Sequence, residues 1–373
     1  MIHFAIGTKA QFIKMAPIMH LLHEEGEPYH LLDLSQHGSL TGKILTDFGL
    51  NPVITRLGEH NKSVTTYMQA VKWLALGFGY ILFNKHEISN RLFLNEPGVV
   101  LIHGDTLSTL LGHYLAKAAG LKTALVEAGL SSGNFLDPFP EEWIRRHIGK
   151  KTDYLFAPDE TSESWLRQRN FKGQTINTGY NTGRDALYLI RNKYAIHNTK
   201  AATDQAYGIV TLHRLETISR KRRLRRAVAH IVAMSKAIGP LYFYMHPPTE
   251  NALKAAGLIY LLTESGHISI RGLAPYPDFM QALSRARFVL TDGGSIQEEA
   301  SYLGKPCLLL RNRTERKEGM GKNAILSTWN VDRDVSHLLH TEEQLTACDR
   351  DSSMEASRII LTTLKEFRTG KHI

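Results

Sequence analysis

Short apolar runs alternate along the whole chain with stretches whose apolar positions recur every three to four residues. Runs at 2–6, 29–34, 99–103, 122–126 and 154–157 predict strands in the first half. Runs at 208–212, 241–245, 268–271, 288–291 and 306–310 predict strands in the second. Helical spacing falls between them, for example at 13–25, 108–119 and 295–302. This alternation predicts an α/β chain with two parallel sheets wrapped by helices. A turn signal, Gly179-Tyr-Asn-Thr-Gly183, separates the halves, and a polar stretch from Asn192 to Gln205 follows it. Open α/β sheets bind ligands beyond the carboxyl ends of their strands, so the residues after each strand are where chemistry is to be sought.

A length of 373 residues suits two domains. Hydrophobic residues make up 43% and charged residues 22%, which excludes a disordered chain. The two cysteines, Cys307 and Cys348, lie outside any metal-type spacing, which argues against a disulfide scaffold and a Cys-based zinc site and fits a reducing cytoplasm. The first residues lack the basic stretch and cleavage pattern of a signal sequence. The most apolar segment, WLALGFGYILF from Trp73 to Phe83, is shorter than the roughly 20 residues a membrane-spanning helix needs. A cytoplasmic location is therefore expected. The formal net charge of +9 favours anionic partners. No basic run carries interleaved aromatics, so nucleic acid is not expected as a partner. The densest basic cluster, Ser219 to Arg226, reads as a solvated helix face, with an anion or membrane contact as the alternative.

Several strand ends carry candidate chemistry. Gly7-Thr-Lys-Ala-Gln-Phe-Ile-Lys14 opens a helix after the first strand, with Lys9 and Lys14 adding charge for an anion; an ordinary turn with two solvated lysines is the alternative. It is not a GxGxxG pattern, so a nicotinamide cofactor is not expected. His103-Gly-Asp-Thr106 places Asp105 after a strand, as a catalytic acid or merely a helix N-cap. Val126-Glu-Ala-Gly-Leu-Ser-Ser-Gly133 puts Glu127 at the next strand end, where a carboxylate needs a partner or a task. Asp137-Pro-Phe-Pro-Glu-Glu142 opens a helix at Glu141, which could simply complement the helix dipole. Asp105, Glu127 and Glu141 together form a candidate acid/base cluster. In the second half, His213 and Arg214 follow a strand and can hold or protonate a leaving phosphate, or be structural. Thr291-Asp-Gly-Gly-Ser-Ile-Gln-Glu-Glu-Ala300 is the most specific signal. Gly293, Gly294 and Ser295 expose helix N–H groups to a diphosphate, and Glu298 and Glu299 are placed to accept from ribose hydroxyls. Arg311 to Arg316 adds positive charge after the last strand.

Together these pieces resemble the non-hydrolysing UDP-N-acetylglucosamine 2-epimerases from about residue 3 to residue 340. The matches include Gly7-Thr8, Ile13-Lys-Met-Ala-Pro17, Gln36-His37, His103-Gly-Asp-Thr106, Val126-Glu-Ala-Gly-Leu130, Pro140-Glu-Glu142 with Arg145, and Asn181. The second half adds His213-Arg214 with Glu216, Tyr276, Thr291-Asp292, Ile296-Gln-Glu-Glu-Ala300, Leu303-Gly-Lys-Pro306 and Thr314-Glu-Arg316. The resemblance implies two Rossmann-like domains of the GT-B type with a deep interdomain cleft. The expected domains are residues 1–178, joined by a returning helix at about 355–370, and a UDP-binding domain at 179–354. It implies interconversion of UDP-GlcNAc and UDP-ManNAc, a surface-polysaccharide precursor, by elimination and re-addition of UDP, without metal or NAD. Asp105, Glu127 and Glu141 match the family's acid/base carboxylates, and His213 its histidine at the diphosphate. Glu298 matches its ribose ligand. Lys9, Lys14, Arg145, Arg214, His246, Tyr276, Glu299 and Arg316 complete the expected substrate-binding set. A homodimer is expected.

This chain departs from the family at several loops. The family's Gly-Thr-Arg-Pro-Glu is Gly7-Thr-Lys-Ala-Gln11 here, and its Gly-Leu-Arg-Thr-Gly is Gly129-Leu-Ser-Ser-Gly133. Its Asp-Ser-Gly-Gly is Asp292-Gly-Gly-Ser295, and its Asn-Pro-Asn is His246-Pro-Pro248. Gly38 stands where the family has an arginine after Gln-His. Arginine and lysine are not equivalent phosphate ligands. The alternatives are therefore a GT-B glycosyltransferase using a UDP-sugar and a non-catalytic nucleotide-sugar-binding protein. The apolar segment from Trp73 to Phe83, flanked by Lys72 and Lys85, suits a peripheral membrane contact or a buried domain helix.

Overall fold

The computed structural model describes residues 1–34, 40–57, 67–131, 133, 140–197, 206–344 and 354–368. It divides into two compact units, Met1–Leu189 with Ser353–Ile373, and Ile190–Ser352.

Unit 1 runs β1 (Ile2–Ile6), α1 (Lys9–Glu24), β2 (Tyr29–Asp33), α2 (Leu40–Phe48), β3 (Val53–Arg56), α3 (Tyr67–Phe83) and α4 (Ile88–Phe93). It continues with β4 (Val99–His103), α5 (Leu107–Ala118), β5 (Lys122–Val126), α6 (Glu141–Gly149), β6 (Tyr154–Ala157), α7 (Glu160–Gln168), β7 (Gln174–Asn177) and α8 (Thr182–Lys193). The strands form one parallel seven-stranded sheet in the order β3-β2-β1-β4-β5-β6-β7. Its central strands are buried on both faces, which explains their continuous apolar runs. Three polar groups tie its first strands. His3 Nε2 lies 3.1 Å from the Glu96 carbonyl, which can only accept, so Nε2 carries the proton. His3 Nδ1 then accepts from His30 Nδ1 at 3.1 Å, and His30 Nε2 accepts from Thr55 Oγ1 at 2.9 Å.

Unit 2 runs β8 (Gly208–Thr211), α9 (Leu215–Ile218), α10 (Lys221–Ile238), β9 (Leu241–Tyr244), α11 (Pro247–Ala256), α12 (Ile259–Thr263), β10 (Ile268–Arg271) and α13 (Tyr276–Arg285). It ends with β11 (Val289–Thr291), α14 (Gly294–Tyr302), β12 (Cys307–Leu309), β13 (Ala324–Leu326) and α15 (Val331–Gln344). Its parallel sheet has the order β10-β9-β8-β11-β12-β13. Both sheets thus reverse direction beside their first strand, between β1 and β4 and between β8 and β11. Such switch points are where α/β sheets open a crevice for ligands.

The last helix, α16 (Glu355–Arg368), belongs to unit 1 and packs on α1. Its start is tied to α8, where Asp185 Oδ2 accepts from Ser357 N at 2.8 Å and Ser357 Oγ at 2.6 Å. That tie holds the first turns of α8 in unit 1. Unit 1 ends at Leu189 and unit 2 begins at Ile190, inside α8.

Candidate functional site

Each switch point is bolted by one side chain. In unit 1 it is Gln11. Thr8 caps α1 in extended conformation, and Gln11, three residues on, completes a capping box with it. Gln11 Oε1 accepts from Gly7 N at 3.0 Å, Thr8 N at 3.1 Å and Ser108 Oγ at 2.8 Å. Its Nε2 donates to the His103 carbonyl at 2.7 Å and faces Thr106 Oγ1 and Thr109 Oγ1 at 2.9 and 3.0 Å. One amide therefore joins the turns after β1 and β4. Gly7 permits the approach, since a Cβ there would lie 2.5 Å from Ser108 Cβ. An amide both accepts and donates, and this site uses both capacities. That is how the chain accommodates glutamine where the resembling family has glutamate.

The carboxylates follow β4 and β5. Thr106, not Asp105, caps α5, so the N-cap reading of Asp105 is set aside. Asp105 instead contacts Arg145 Nη2, and its side chain stays 19% exposed. Glu127 has a φ of 66°, a left-handed conformation costly for a residue with a side chain and typical of strained functional turns. Its carboxylate is buried. Lys14 Nζ lies 2.6 Å from Oε2, Asn181 Nδ2 donates to the same oxygen, and His103 Nε2 is 3.5 Å away. Lys14 is buried too, so the reading of two solvated lysines fails for it: its ammonium faces Glu127 rather than water. Lys9 is half-buried at the start of α1.

Glu141 and Arg145 are four residues apart on α6 and so share a face, which brings Glu141 to the side of the helix that meets Asp105. The adjacent Glu142 is the structural member. It accepts from Ser131 Oγ at 2.6 Å, Arg146 Nε at 3.0 Å and Arg145 Nη1 at 3.2 Å, fully buried. Ser131 stands where the family has arginine, and its hydroxyl is engaged in holding α6.

In unit 2 the bolt is Asp292, fully buried after β11. Its Oδ1 accepts from His213 N at 3.0 Å and its Oδ2 from Arg214 N at 3.1 Å, which ties the loop after β8 to the start of α14. Gly293 is the N-cap of α14 and has no side chain to cap it; its own N–H donates to Thr291 Oγ1 at 2.9 Å, and the N–H groups of Gly294 and Ser295 open the helix without a side-chain cap from it. His213 lies against Gly293; a Cβ there would be 2.3 Å from His213 Cε1. The imidazole stacks on His246 with ring centroids 5.0 Å apart.

Positive charge gathers at the same end of the sheet. Arg214 donates to Glu216 at 2.9 Å and Glu315 at 2.7 Å, and Arg311 donates to Glu315 at 2.6 Å. Burial disfavours the Arg214 cation, but Glu315 and Glu216 outweigh it and raise its pKa further. Arg316 donates to Glu298 Oε1 at 2.6 Å and passes beside Gly294. Gln297 Nε2 fixes that loop through the Arg316 and Glu318 carbonyls at 3.1 and 3.0 Å. Tyr276 is buried at the start of α13; burial and Glu299 push its phenol well above its ordinary pKa, so it stays a neutral donor.

The structure thus groups Asp105, Arg145 and Glu141, and separately Lys14 and Glu127, at the strand ends of unit 1. His213, Arg214, His246, Gly293, Gly294, Ser295, Glu298, Glu299, Tyr276 and Arg316 stand at the strand ends of unit 2. Gln36, His37 and the segment 134–139, with Asp137, lie outside the described residues. Sequence reasoning gave no role to Gln11, Glu142, Asp292 or Glu315. Asp292 and Glu315 carried a signal, a carboxylate directly before Gly293 and before Arg316; Gln11 and Glu142 carried none.

A family model described as UDP-N-acetylglucosamine 2-epimerase matches residues 79–358. The Methanocaldococcus jannaschii protein named UDP-N-acetylglucosamine 2-epimerase is 31% identical over 320 residues, covering 84% of either chain. The Salmonella typhimurium protein of the same name is 27% identical across 98% of both. A crystal structure of the Methanocaldococcus jannaschii UDP-GlcNAc 2-epimerase in complex with UDP-GlcNAc and UDP matches with a TM-score of 0.79 and 26% identity, over 97% of this chain and 99% of that one. With both switch points, the uncapped α14 and the matched strand ends in place, the chain belongs to the UDP-N-acetylglucosamine 2-epimerase family.

Proposed function

We propose that this protein interconverts UDP-GlcNAc and UDP-ManNAc. The hydrogen at C2 has no neighbouring carbonyl, so its removal is coupled to loss of the C1 substituent. A base takes the C2 proton, the C1–O bond to the diphosphate breaks, and UDP leaves a 2-acetamidoglucal. UDP then adds back at C1 while a proton is delivered to the other face of C2. The reaction needs a base, an acid and a cradle for the departing diphosphate.

Unit 2 supplies the cradle. The N–H groups opening α14 at Gly294 and Ser295 are offered to the departing diphosphate, with His213 alongside, while the Gly293 N–H is held by Thr291 Oγ1 at 2.9 Å. Glu298 and Glu299 accept from the ribose. Unit 1 supplies the acid and base. Asp105 and Glu141 are the partly exposed carboxylates able to reach a sugar carbon. Glu127 is enclosed with Lys14, and a proton passing between them leaves the pair neutral overall.

The observation that carries the reading is the match over nearly the whole of both chains to a relative holding UDP-GlcNAc and UDP. The test is incubation with UDP-GlcNAc alone, resolved by anion-exchange chromatography. The reading expects a UDP-ManNAc peak at the expense of UDP-GlcNAc. Turnover only after addition of a sugar acceptor would replace it with a transferase.

A further inference from the structure

Six cations stand in seven residues at the start of α10. Arg220, Lys221, Arg222, Arg223, Arg225 and Arg226 are all exposed, while Leu224 among them is buried in the core of unit 2. Their formal charge of +6 compares with +9 for the whole chain. None of the six has an ion-pair partner among the described residues. Arg223 Nη1 lies 3.5 Å from the Glu216 carbonyl, and the Arg226 guanidinium sits over the Trp329 ring, 4.2 Å from its centroid. From Ala206 to Thr249 the sequence holds a single carboxylate, Glu216, and Arg214 takes it at 2.9 Å. A solvated helix face ordinarily mixes both signs. This one also opposes its own helix: α10 has no acid in its first turn and no side-chain cap, so the positive end of the helix dipole meets a row of positive side chains. Folding gains nothing from such a row.

The row adjoins the diphosphate cradle of unit 2. Strand β8 ends at Thr211, the loop of His213 and Arg214 follows, and α10 starts from that same end of the sheet. Arg223 reaches back to Glu216, Glu216 holds Arg214, and the Arg214 N–H bonds Asp292, the residue before Gly293. The segment after β12, at the same sheet end, adds Arg313 and Lys317, both exposed and without an ion-pair partner among the described residues. Arg214, Arg311 and Arg316, by contrast, are committed to carboxylates. The unpaired exposed cations are therefore the ones whose field reaches into solvent. The row holds no aromatic residue for a base to stack on, and its one apolar residue, Leu224, is turned into the core. Neither a nucleic acid nor a lipid surface finds a grip there beyond charge. A small anion on its way to the cradle needs only charge.

We propose that the basic row at the start of α10, with Arg313 and Lys317, steers the anionic UDP-sugar to unit 2 and sets its rate of entry without touching it once bound. This rests on the nucleotide site proposed above, and it gives the row a part in association alone.

The full chain is mixed with UDP, and separately with UDP-GlcNAc, in stopped-flow fluorescence at ionic strengths from about 10 mM to about 1 M, over which the screening length falls from about 30 Å to about 3 Å. The wild-type association rate is expected to fall at least about tenfold across that range, and more for UDP, the more highly charged ligand. Arg222→Glu with Arg225→Glu is expected to slow association about tenfold at low salt and not at all at high salt, with the dissociation rate and kcat unchanged. Arg222→Gln with Arg225→Gln should fall between the two. Both positions are exposed and glutamate suits a helix start, so the urea midpoint should hold or rise. An association rate that both double variants leave unchanged at low salt overturns the proposal. So does a change confined to the dissociation rate, since the row would then hold bound ligand. A wild type that binds no UDP removes the nucleotide site as well, whereas binding at a rate blind to charge removes the steering alone.

Discussion

Lys14 on α1 and Glu127 after β5 form a buried ion pair, Nζ to Oε2 2.6 Å, across 113 residues of sequence. Asn181 adds a hydrogen bond to the same oxygen and in turn accepts from Gly183 N at 3.0 Å. Three separate segments of unit 1 thus meet on one carboxylate. Burying two charges is repaid only while both are present. Glu127→Gln is expected to lose about 3–5 kcal/mol of stability by urea titration, because Lys14 is left charged and enclosed. Lys14→Met combined with Glu127→Gln should recover a substantial part of that loss. A single variant as stable as wild type would show that the pair does not organise the site.

Gly293→Ala tests the placement of His213. The added methyl meets the imidazole at 2.3 Å, while the backbone φ of −91° is one alanine adopts without strain. The fold should therefore persist and the imidazole should move off His246. UDP affinity is expected to fall by about 1–3 kcal/mol, the worth of a charge-assisted hydrogen bond. Unchanged affinity by calorimetry would remove His213 from the diphosphate.

Glu298→Gln keeps the shape of the side chain but removes the charge facing Arg316. UDP binding is expected to weaken by about 1–3 kcal/mol, and the urea midpoint of unit 2 should drop as well. Loss of stability with full UDP affinity would make Glu298 purely structural.

Acid should loosen unit 1. Burial lowers the pKa of His3, His30 and His113 to about 4 from an unfolded value of 6.5. Between pH 6.5 and 4 the unfolded chain binds protons that these three imidazoles refuse in the folded unit, so they remove stability as pH falls through that window; Asp185, whose buried carboxyl is pushed up to about 6, offsets part of that loss below pH 6. Each group contributes on the order of 3 kcal/mol once the pH is below 4. His113→Leu should shallow the slope, because one of the three proton-uptake sites is gone. Urea midpoints at pH 7.5 and 5 check this; equal values would contradict it.

The sheet centres, the edge strand β10 and the strand-end loops were legible in sequence, and the other three sheet edges were not. Strands β3 (VITR), β7 (QTIN) and β13 (AIL) are all edge strands of three or four residues. An edge strand buries little, so its sequence lacks the continuous apolar run that marks β1 or β4. Glu141 stood out because it opens a helix after prolines, yet its neighbour Glu142 does the structural work. Nothing in spacing separates two adjacent glutamates; that depends on which face of α6 turns inward. The left-handed backbone of Glu127 was also hidden, since such a conformation ordinarily announces itself as glycine. The turn at Gly179 was visible, but the tie of α8 to α16 through Asp185 and Ser357 was not, since the two residues are 172 apart in sequence.

The central claim is that C2 of the sugar loses its proton and regains one on either face. Asp105→Asn and Glu141→Gln should each keep UDP affinity and lose about 10²–10⁴ in rate, the usual worth of a general acid or base. The most direct measurement is proton NMR of UDP-GlcNAc incubated with the wild-type protein in deuterated water. The account predicts that the C2 hydrogen signal disappears from both UDP-GlcNAc and newly formed UDP-ManNAc as deuterium enters. A UDP-sugar that binds but keeps its C2 hydrogen and its configuration would contradict it.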